Sequence, residues 1–344
     1  MLTSTFYSDL EKDSLAGKKI SDDRCLSILN SEKIDILPLL AAAYTIRKKY
    51  WGKEVIVHII NNIQNGLCSE DCKYCAQSTS STASINTYQM KSDEKILEEA
   101  KVAYESGAYR YCMVFSGTGP TSERVKHLES LIQTIKKKFP LEVCVSPGVM
   151  SEENLKVLKE SGLNRLNHNL NTSDDYYSNI CTSHSFEQRL NTLQSASNVG
   201  LDICSGLIIG MGETNENIVK AAKLLRSLKQ VKSIPINFLI PIPGIALKSQ
   251  NKLTPEFCLR VLALFRFLNP ETEIRAAAGR ELHLKSLEPM CLYPANSIFM
   301  NGYLNTEGGG CLKDLNMIKD LGFTIKGDKT VKELLKRFNL SDKV

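Results

Sequence analysis

The sequence predicts an α/β fold, a (β/α)8 TIM-type barrel with an N-terminal helical lead-in and a short C-terminal extension. From about residue 53, short runs rich in β-branched residues alternate with helical segments, and the alternation repeats eight times. The runs cover 55–63, 109–116, 141–146, 165–170, 202–209, 234–240, 273–278 and 297–303. The segments between them open on helix-entry signals: Ser92-Asp93-Glu94, Thr121-Ser122-Glu123, Ser151-Glu152-Glu153 and Thr254-Pro255-Glu256. Eight strand-helix units favour a closed barrel over an open doubly wound sheet. Residues 1–52 read as an N-terminal helical cap, with Asp22 opening one stretch and 34–50 forming an amphipathic one. The barrel then spans 53–323. Residues 324–344, rich in lysine and with a helix expected over 330–338, read as a surface appendage. There is no long linker, internal repeat or low-complexity tract.

Composition narrows the chemistry. At 344 residues and 42% hydrophobic content the chain can bury a large core. Its net charge of +5 is spread over 43 basic and 38 acidic residues, with no basic stripe interleaved with aromatics, which points to small molecules rather than nucleic acid. Asp9, Glu11, Lys12, Asp13, Lys18 and Lys19 interrupt the first twenty residues, so a secretory signal is not expected. The longest apolar stretch, near 36–46, contains Pro38 and is about half of the roughly 20 residues needed to span a bilayer. A cytoplasmic location is expected. Eleven cysteines, an odd number without the regular spacing of a secreted scaffold, then suggest metal ligation or catalysis in a reducing compartment.

The most specific signal is Cys68-Ser-Glu-Asp-Cys72-Lys-Tyr-Cys75, a C-x3-C-x2-C spacing on a loop after the first strand. Three thiolates can hold three corners of a cubane and leave one iron open to chelate the amino and carboxylate groups of a methionyl ligand. The spacing resembles that of the radical S-adenosylmethionine superfamily, and Tyr74 is similar to its adenine-contacting position. The competing reading is a zinc site with His58 or a distant thiol as fourth ligand; zinc knuckles more often use paired C-x2-C units, and one such unit is present.

Cys112, Cys144 and Cys204 fall within the second, third and fifth expected strands, and Arg275 within the seventh. Barrel interiors are normally filled by branched apolar side chains. A free cysteine can pack as a small hydrophobe, but three of them beside an arginine read together as ligands of a second cluster. Asn167, Asn169 and Asn171 alternate on the fourth run, so a period of two places them on one face, where a polar ligand would satisfy their amides. Asn237 on the sixth run is a weaker instance, and outward-facing amides at a strand end are the alternative.

Taken in order, further stretches resemble the biotin synthase family from Val55 to Phe323: Arg110-Tyr-Cys112, Asn167-His-Asn-Leu-Asn171-Thr-Ser, Glu187-Gln-Arg189, Cys204-Ser-Gly-Leu-Ile-Ile-Gly-Met-Gly-Glu213, Pro235-Ile-Asn237, Ile274-Arg275-Ala-Ala-Ala-Gly-Arg280-Glu and Ala295-Asn-Ser-Ile-Phe299. The resemblance implies a sulfurtransferase that inserts sulfur into dethiobiotin to form biotin. It implies a 4Fe-4S cluster on Cys68, Cys72 and Cys75, and an auxiliary sulfur-donating cluster, 2Fe-2S or larger, on Cys112, Cys144, Cys204 and Arg275. S-adenosyl-L-methionine would meet Tyr74, Asn171 and Arg189, the last as a bidentate partner of its carboxylate. Dethiobiotin would be oriented by Asn169 and Asn237. Asn171 stands where an aspartate is common, and an amide can still bond a ribose diol. No side chain is expected to act as acid or base, because the cofactors carry the chemistry. A flavodoxin or ferredoxin electron donor and a homodimer are also implied.

Several residues stay outside that pattern. Cys181, Cys291 and Cys311 are expected as packing residues, the alternative being a larger auxiliary assembly; Cys25 and Cys258 are expected to be structural. Gly210-Met-Gly212-Glu213 lacks the third glycine of a dinucleotide motif and reads as a strand-to-helix turn. Arg280 reads as a structural ion pair. Two rival functions remain: a mutase or maturase of the same superfamily without a sulfur donor, and a non-catalytic zinc or iron-sulfur scaffold.

Overall fold

The computed structural model describes residues 4–341 apart from 249 and 307. Among the described residues ten strands form one parallel sheet: β1 (Glu54–Asn62), β2 (Arg110–Val114), β3 (Glu142–Ser146), β4 (Arg165–Asn167), β5 (Asp202–Cys204), β6 (Leu207–Ile209), β7 (Val231–Phe238), β8 (Glu273–Ala276), β9 (Ser297–Phe299) and β10 (Thr324–Ile325). Pairing of β9 back onto β1, with Val57 opposite Ile298, closes the barrel. All eight expected runs are staves of it.

Two staves differ from expectation. The run at 202–209 is one stave in two pieces, β5 opposite Val231 and Ser233 of β7 and β6 opposite Ile236 to Phe238. The break falls at Ser205-Gly206, where the stave leans on its neighbours: a Cβ at Gly206 would collide with the Pro235 carbonyl. The fourth run is regular only to Asn167, beyond which Asn169 and Asn171 lie on a loop extending the strand.

Alternation along the strands separates two cores. Val143 and Val145 of β3 join Leu155 and Leu158 in the outer core beneath the helices, while Cys144 between them joins Cys112, Cys204, Ala277 and Phe299 in the inner one. The four expected helix-entry residues all cap: Ser92, Thr121, Ser151 and Thr254 each accept a bond from the backbone amide three residues on.

The N-terminal segment forms α1 (Ser4–Leu15), α2 (Asp22–Asn30) and α3 (Ile36–Trp51), which cover the helix Pro255–Leu268. That helix is buried from Cys258 to Leu268 on every face, which requires partners on both sides. Ser14 bonds Phe267 O at 2.7 Å, and Arg260 bonds Ile28 O at 2.9 Å. Arg47 donates to the Ala295 and Glu54 carbonyls, so the lead-in braces the strand-entry end and leaves the strand-exit end open. The segment from 324 is bound to the barrel more closely than an appendage: β10 pairs with Glu54 and Val55 of β1, and Leu334 and Leu335 are buried. Residues 1–3 and 342–344, the outer ends of the two flanking segments, lie outside the described residues. Among the described residues no helix is long and apolar enough to cross a membrane.

Candidate active site

The loop carrying Cys68, Cys72, Tyr74 and Cys75 leaves the exit end of β1 and is pinned by the segment 180–184. Asp71 accepts bonds from the Thr182 and Ser183 amides, both at 2.9 Å, and Glu70 accepts from Ser183 Oγ and faces His184 Nδ1, both at 2.6 Å. Lys73 N donates to Ile180 O at 2.9 Å. Burial would raise the Glu70 pKa, but the hydrogen bonds from Ser183, Thr118 and His184 overrule it and hold the carboxyl below its usual range. The loop thus keeps three thiols at one rim with little regular structure of its own.

Cys181 is buried among Tyr177 and Ile180, as expected of a packing residue, but it also meets a thiol and an imidazole. Its Sγ lies 3.7 Å from Cys72 Sγ and 3.3 Å from His184 Nδ1. Donating its hydrogen to Cys181, and burial after that, raises the Cys72 thiol, and the same bond, against burial and with help from His184 and Ser183, lowers Cys181 to about 5. Cys291 and Cys311 sit in the outer core with Cys25 and Cys258, away from both thiol sets. Arg280 makes ion pairs with Asp314 at 2.7 Å and Glu288 at 3.2 Å, as expected for a structural cation.

Inside the barrel Cys112 and Cys144 are cross-strand partners, and Cys204 pairs with Asn167 on β4. Arg275 Nη1 approaches Cys204 Sγ at 3.5 Å, while its Nη2 bonds Glu273 at 2.6 Å and Ser233 Oγ at 2.8 Å, and its Nε bonds Ser297 Oγ at 3.0 Å. Beneath lies a network that sequence reasoning did not single out. Glu273 also takes Arg110 Nη1 at 3.1 Å, Arg165 Nη1 at 2.9 Å and His58 Nε2 at 2.8 Å, and Arg110 pairs with Glu142. Burial, and then the Arg275 charge, holds His58 neutral. Hydrogen bonding from Cys144 and then, against burial, the Arg275 charge lower the Cys112 and Cys204 thiols, while Cys144 is raised. The signal for this network was in the chain: charged residues inside strand runs have to face something charged.

The three loop thiols and two of the three barrel thiols open onto one cavity of about 210 Å³. Cys68, Cys72, Cys75 and Tyr74 line its rim, Cys112 and Cys144 its floor, and Asn167, Asn169, Asn171 and Arg189 one wall. Cys204 and Arg275 belong to the layer below. The three asparagines do share the cavity, although only Asn167 is in a strand. Asn171 adopts φ +70°, which asparagine tolerates, and its Nδ2 bonds Tyr74 Oη at 2.7 Å. Asn169 Oδ1 accepts from Gly206 N at 3.0 Å. Arg189, on the helix Phe186–Asn198, bonds Tyr177 Oη and donates Nη1 to Asn169 O at 3.0 Å; its Nη2 has no hydrogen-bond partner among the described residues. Asn237 lines a neighbouring cavity of about 140 Å³ that shares Tyr74, Cys75 and Tyr303 with the first. Both ends of its amide are occupied, with Leu207 O at 3.0 Å and Ala278 N at 3.2 Å, so it also stitches β6 to the end of β8. Gly210-Met211-Gly212 is a turn closed by Glu213, which accepts from the Gly210 and Met211 amides at 2.7 Å.

Residues 63–225 match the Radical SAM superfamily, and 235–324 match the Biotin and Thiamin Synthesis associated domain. A biotin synthase from Magnetococcus marinus is 53% identical over 91% of this chain and 97% of its own length. Another from Acaryochloris marina is 52% identical over 89% and 88%. The chain belongs to the biotin synthase family. It is accordingly a radical S-adenosylmethionine sulfurtransferase, with S-adenosylmethionine, a 4Fe-4S cluster and an auxiliary iron-sulfur cluster as cofactors. Two solved structures share the fold: the FeFe-hydrogenase maturase of Carboxydothermus hydrogenoformans (TM-score 0.80, 17% identity, 95% of this chain and 80% of that one) and methylornithine synthase (TM-score 0.77, 20% identity, 91% and 96%).

Proposed function

We propose that the cavity joining the two thiol sets is where S-adenosylmethionine and dethiobiotin meet. Cys68, Cys72 and Cys75 hold the 4Fe-4S cluster at the rim, and Cys112, Cys144, Cys204 and Arg275 hold the auxiliary cluster at the floor. The single observation that carries this reading is one cavity lined both by Cys68, Cys72 and Cys75 and by Cys112 and Cys144. The donors fit: the thiols are free, and the floor lies over buried guanidiniums that suit an assembly carrying negative charge. Arg275 has Nε and Nη2 tied down and only Nη1 turned to the thiols.

When bound, the cofactors supply one-electron cleavage of S-adenosylmethionine, hydrogen abstraction from unactivated carbon and the sulfur atom, which no side-chain acid or base can provide. The protein positions and shields. Arg189 offers Nη2 alone to the methionyl carboxylate, a single contact rather than the bidentate one expected, because Nε and Nη1 are already fixed. Asn171 steadies Tyr74 through Nδ2 and keeps Oδ1 for a ribose hydroxyl, and Tyr74 packs on the adenine. Asn169 contacts dethiobiotin from the wall, and Asn237 reaches it from the adjoining cavity. Phe299 and Tyr303, stacked edge-on at 5.3 Å, exclude water from the floor.

An electron donor of the flavodoxin or ferredoxin type, a homodimeric assembly and a cytoplasmic location complete the proposal. The test is anaerobic incubation with reductant, S-adenosylmethionine and dethiobiotin, with 5′-deoxyadenosine and biotin measured by mass spectrometry. Wild type should yield both, Cys144→Ala deoxyadenosine without biotin, and Cys68→Ala neither. Biotin formation by Cys144→Ala would overturn the assignment of the floor.

A further inference from the structure

A second group of metal-binding donors stands beside the cysteine loop, and the scheme above leaves two of its members unused. The ligand atoms of Cys72, Cys181 and His184 lie within 4.8 Å of one another, and all three residues are buried. Tetrahedral zinc, with bonds of about 2.3 Å to sulfur and 2.0 to 2.1 Å to nitrogen, separates two ligand sulfurs by about 3.8 Å and a sulfur from a nitrogen by about 3.6 Å. The Cys72 and Cys181 sulfurs are 3.7 Å apart, and Cys181 Sγ is 3.7 Å from His184 Nε2 and 3.3 Å from Nδ1, so the imidazole has to turn for Nε2 to face a metal held by the two sulfurs. Glu70 Oε2 meets the other ring nitrogen, Nδ1, at 2.6 Å. A carboxylate on the far nitrogen is the arrangement that orients a metal-binding imidazole. Asp71 Oδ1 is 3.2 Å from Cys181 Sγ but is held by the Thr182 and Ser183 amides, so it is not counted among the ligands.

We propose that in the cluster-free chain Cys72, Cys181 and His184 bind one zinc ion, and that zinc and the 4Fe-4S cluster exclude each other because Cys72 belongs to both. The exclusion rests on assigning Cys72 to that cluster; the zinc site does not. Two thiolates and a neutral imidazole match the charge of a divalent ion, and binding requires Cys72 to give up its thiol proton. The zinc reading left open by the C-x3-C-x2-C motif therefore moves from His58, buried at the bottom of the barrel, to a partner set on the neighbouring loop.

The test uses the full-length cluster-free chain, titrated with zinc against a chromophoric chelator, with circular dichroism to verify folding. Cys181→Ala and His184→Ala should each bind one zinc fewer per chain, or bind it at least tenfold more weakly, while Cys68→Ala behaves as wild type. Metal taken up by Cys112, Cys144 and Cys204 is common to all four proteins and cancels. Equal uptake by wild type, Cys181→Ala and His184→Ala would overturn the site, as would loss of zinc in Cys68→Ala alone. On reconstitution with iron and sulfide, zinc-loaded wild type should gain at least tenfold less rim cluster until chelator is added. Cluster assembly beside retained zinc would overturn the exclusion. A Cys68→Ala chain that still builds two clusters would refute the rim assignment and leave the zinc result standing.

Discussion

Replacing Glu273 by glutamine removes one charge from the barrel floor while keeping the size of the side chain. That carboxylate, 1% exposed, is the shared partner of Arg110, Arg165 and Arg275 at 2.6 to 3.1 Å. With His58 neutral, three guanidiniums face two carboxylates, Glu273 and Glu142, and one positive charge is left over beside the thiols. Glutamine leaves two uncompensated buried cations. Removing one member of a buried ion pair costs about 3 to 5 kcal/mol, and because the amide oxygen retains an acceptor the expected loss is about 3 kcal/mol. For a chain of 344 residues the unfolding entropy is about 0.7 kcal/mol per kelvin, so Tm should fall by about 4 °C. Thermal unfolding of the cluster-free chain, followed by circular dichroism, measures it. Glu142→Gln is the control: its side chain is 31% exposed, and its loss should stay within about 1 kcal/mol. Equal shifts in the two variants, or a Glu273→Gln chain as stable as wild type, would refute the charge argument.

Burial, followed by the charges of Arg189 and His184, keeps His168 neutral, whereas in the unfolded chain it titrates near 6.5. The unfolded state then binds the extra proton, so stability is complete above about pH 7 and falls as the pH drops, by up to about 1.4 kcal/mol per unit for this group. His168→Gln should flatten denaturant-derived stability between pH 6.5 and 5.5 by about 1 kcal/mol; an unchanged slope would contradict it. Gly206→Ala should destabilise by about 1 to 3 kcal/mol, read from the urea midpoint, because the new methyl meets the Pro235 carbonyl. Alanine at Cys25, Cys258, Cys291 or Cys311 should leave iron and sulfide per chain unchanged after reconstitution, whereas alanine at Cys112, Cys144 or Cys204 should lower both. Asn171→Ala should raise KM for S-adenosylmethionine several-fold through the lost Tyr74 bond, and Asn171→Asp should restore it by accepting from the tyrosine hydroxyl.

The barrel was legible in the sequence because strand and helix periodicity are local, and so were the helix caps at Ser92, Thr121, Ser151 and Thr254. The rim cysteines were legible because their spacing lies within eight residues. The floor was legible in part: cysteines and an arginine in strands stood out, while Glu273, Arg110 and Arg165 did not, since each alone resembles an ordinary charge near a strand end, and His58 was weighed only as a zinc ligand. The fourth run was read as too long, because the pull of Asn169 and Asn171 on Gly206 ends regular pairing at Asn167.

By itself, then, the sequence determined the eight-stave alternation and the family, both of which depend on residue identity and short spacing. Only the tertiary structure decided which distant groups touch. Closure of β9 onto β1 sets Glu273 among cations from β2, β4 and β8, and the segment 180–184 brings Cys181 and His184 to Cys72. The reason is physical: a side chain's neighbours across a barrel are fixed by how the chain closes, and nothing in local periodicity encodes that meeting.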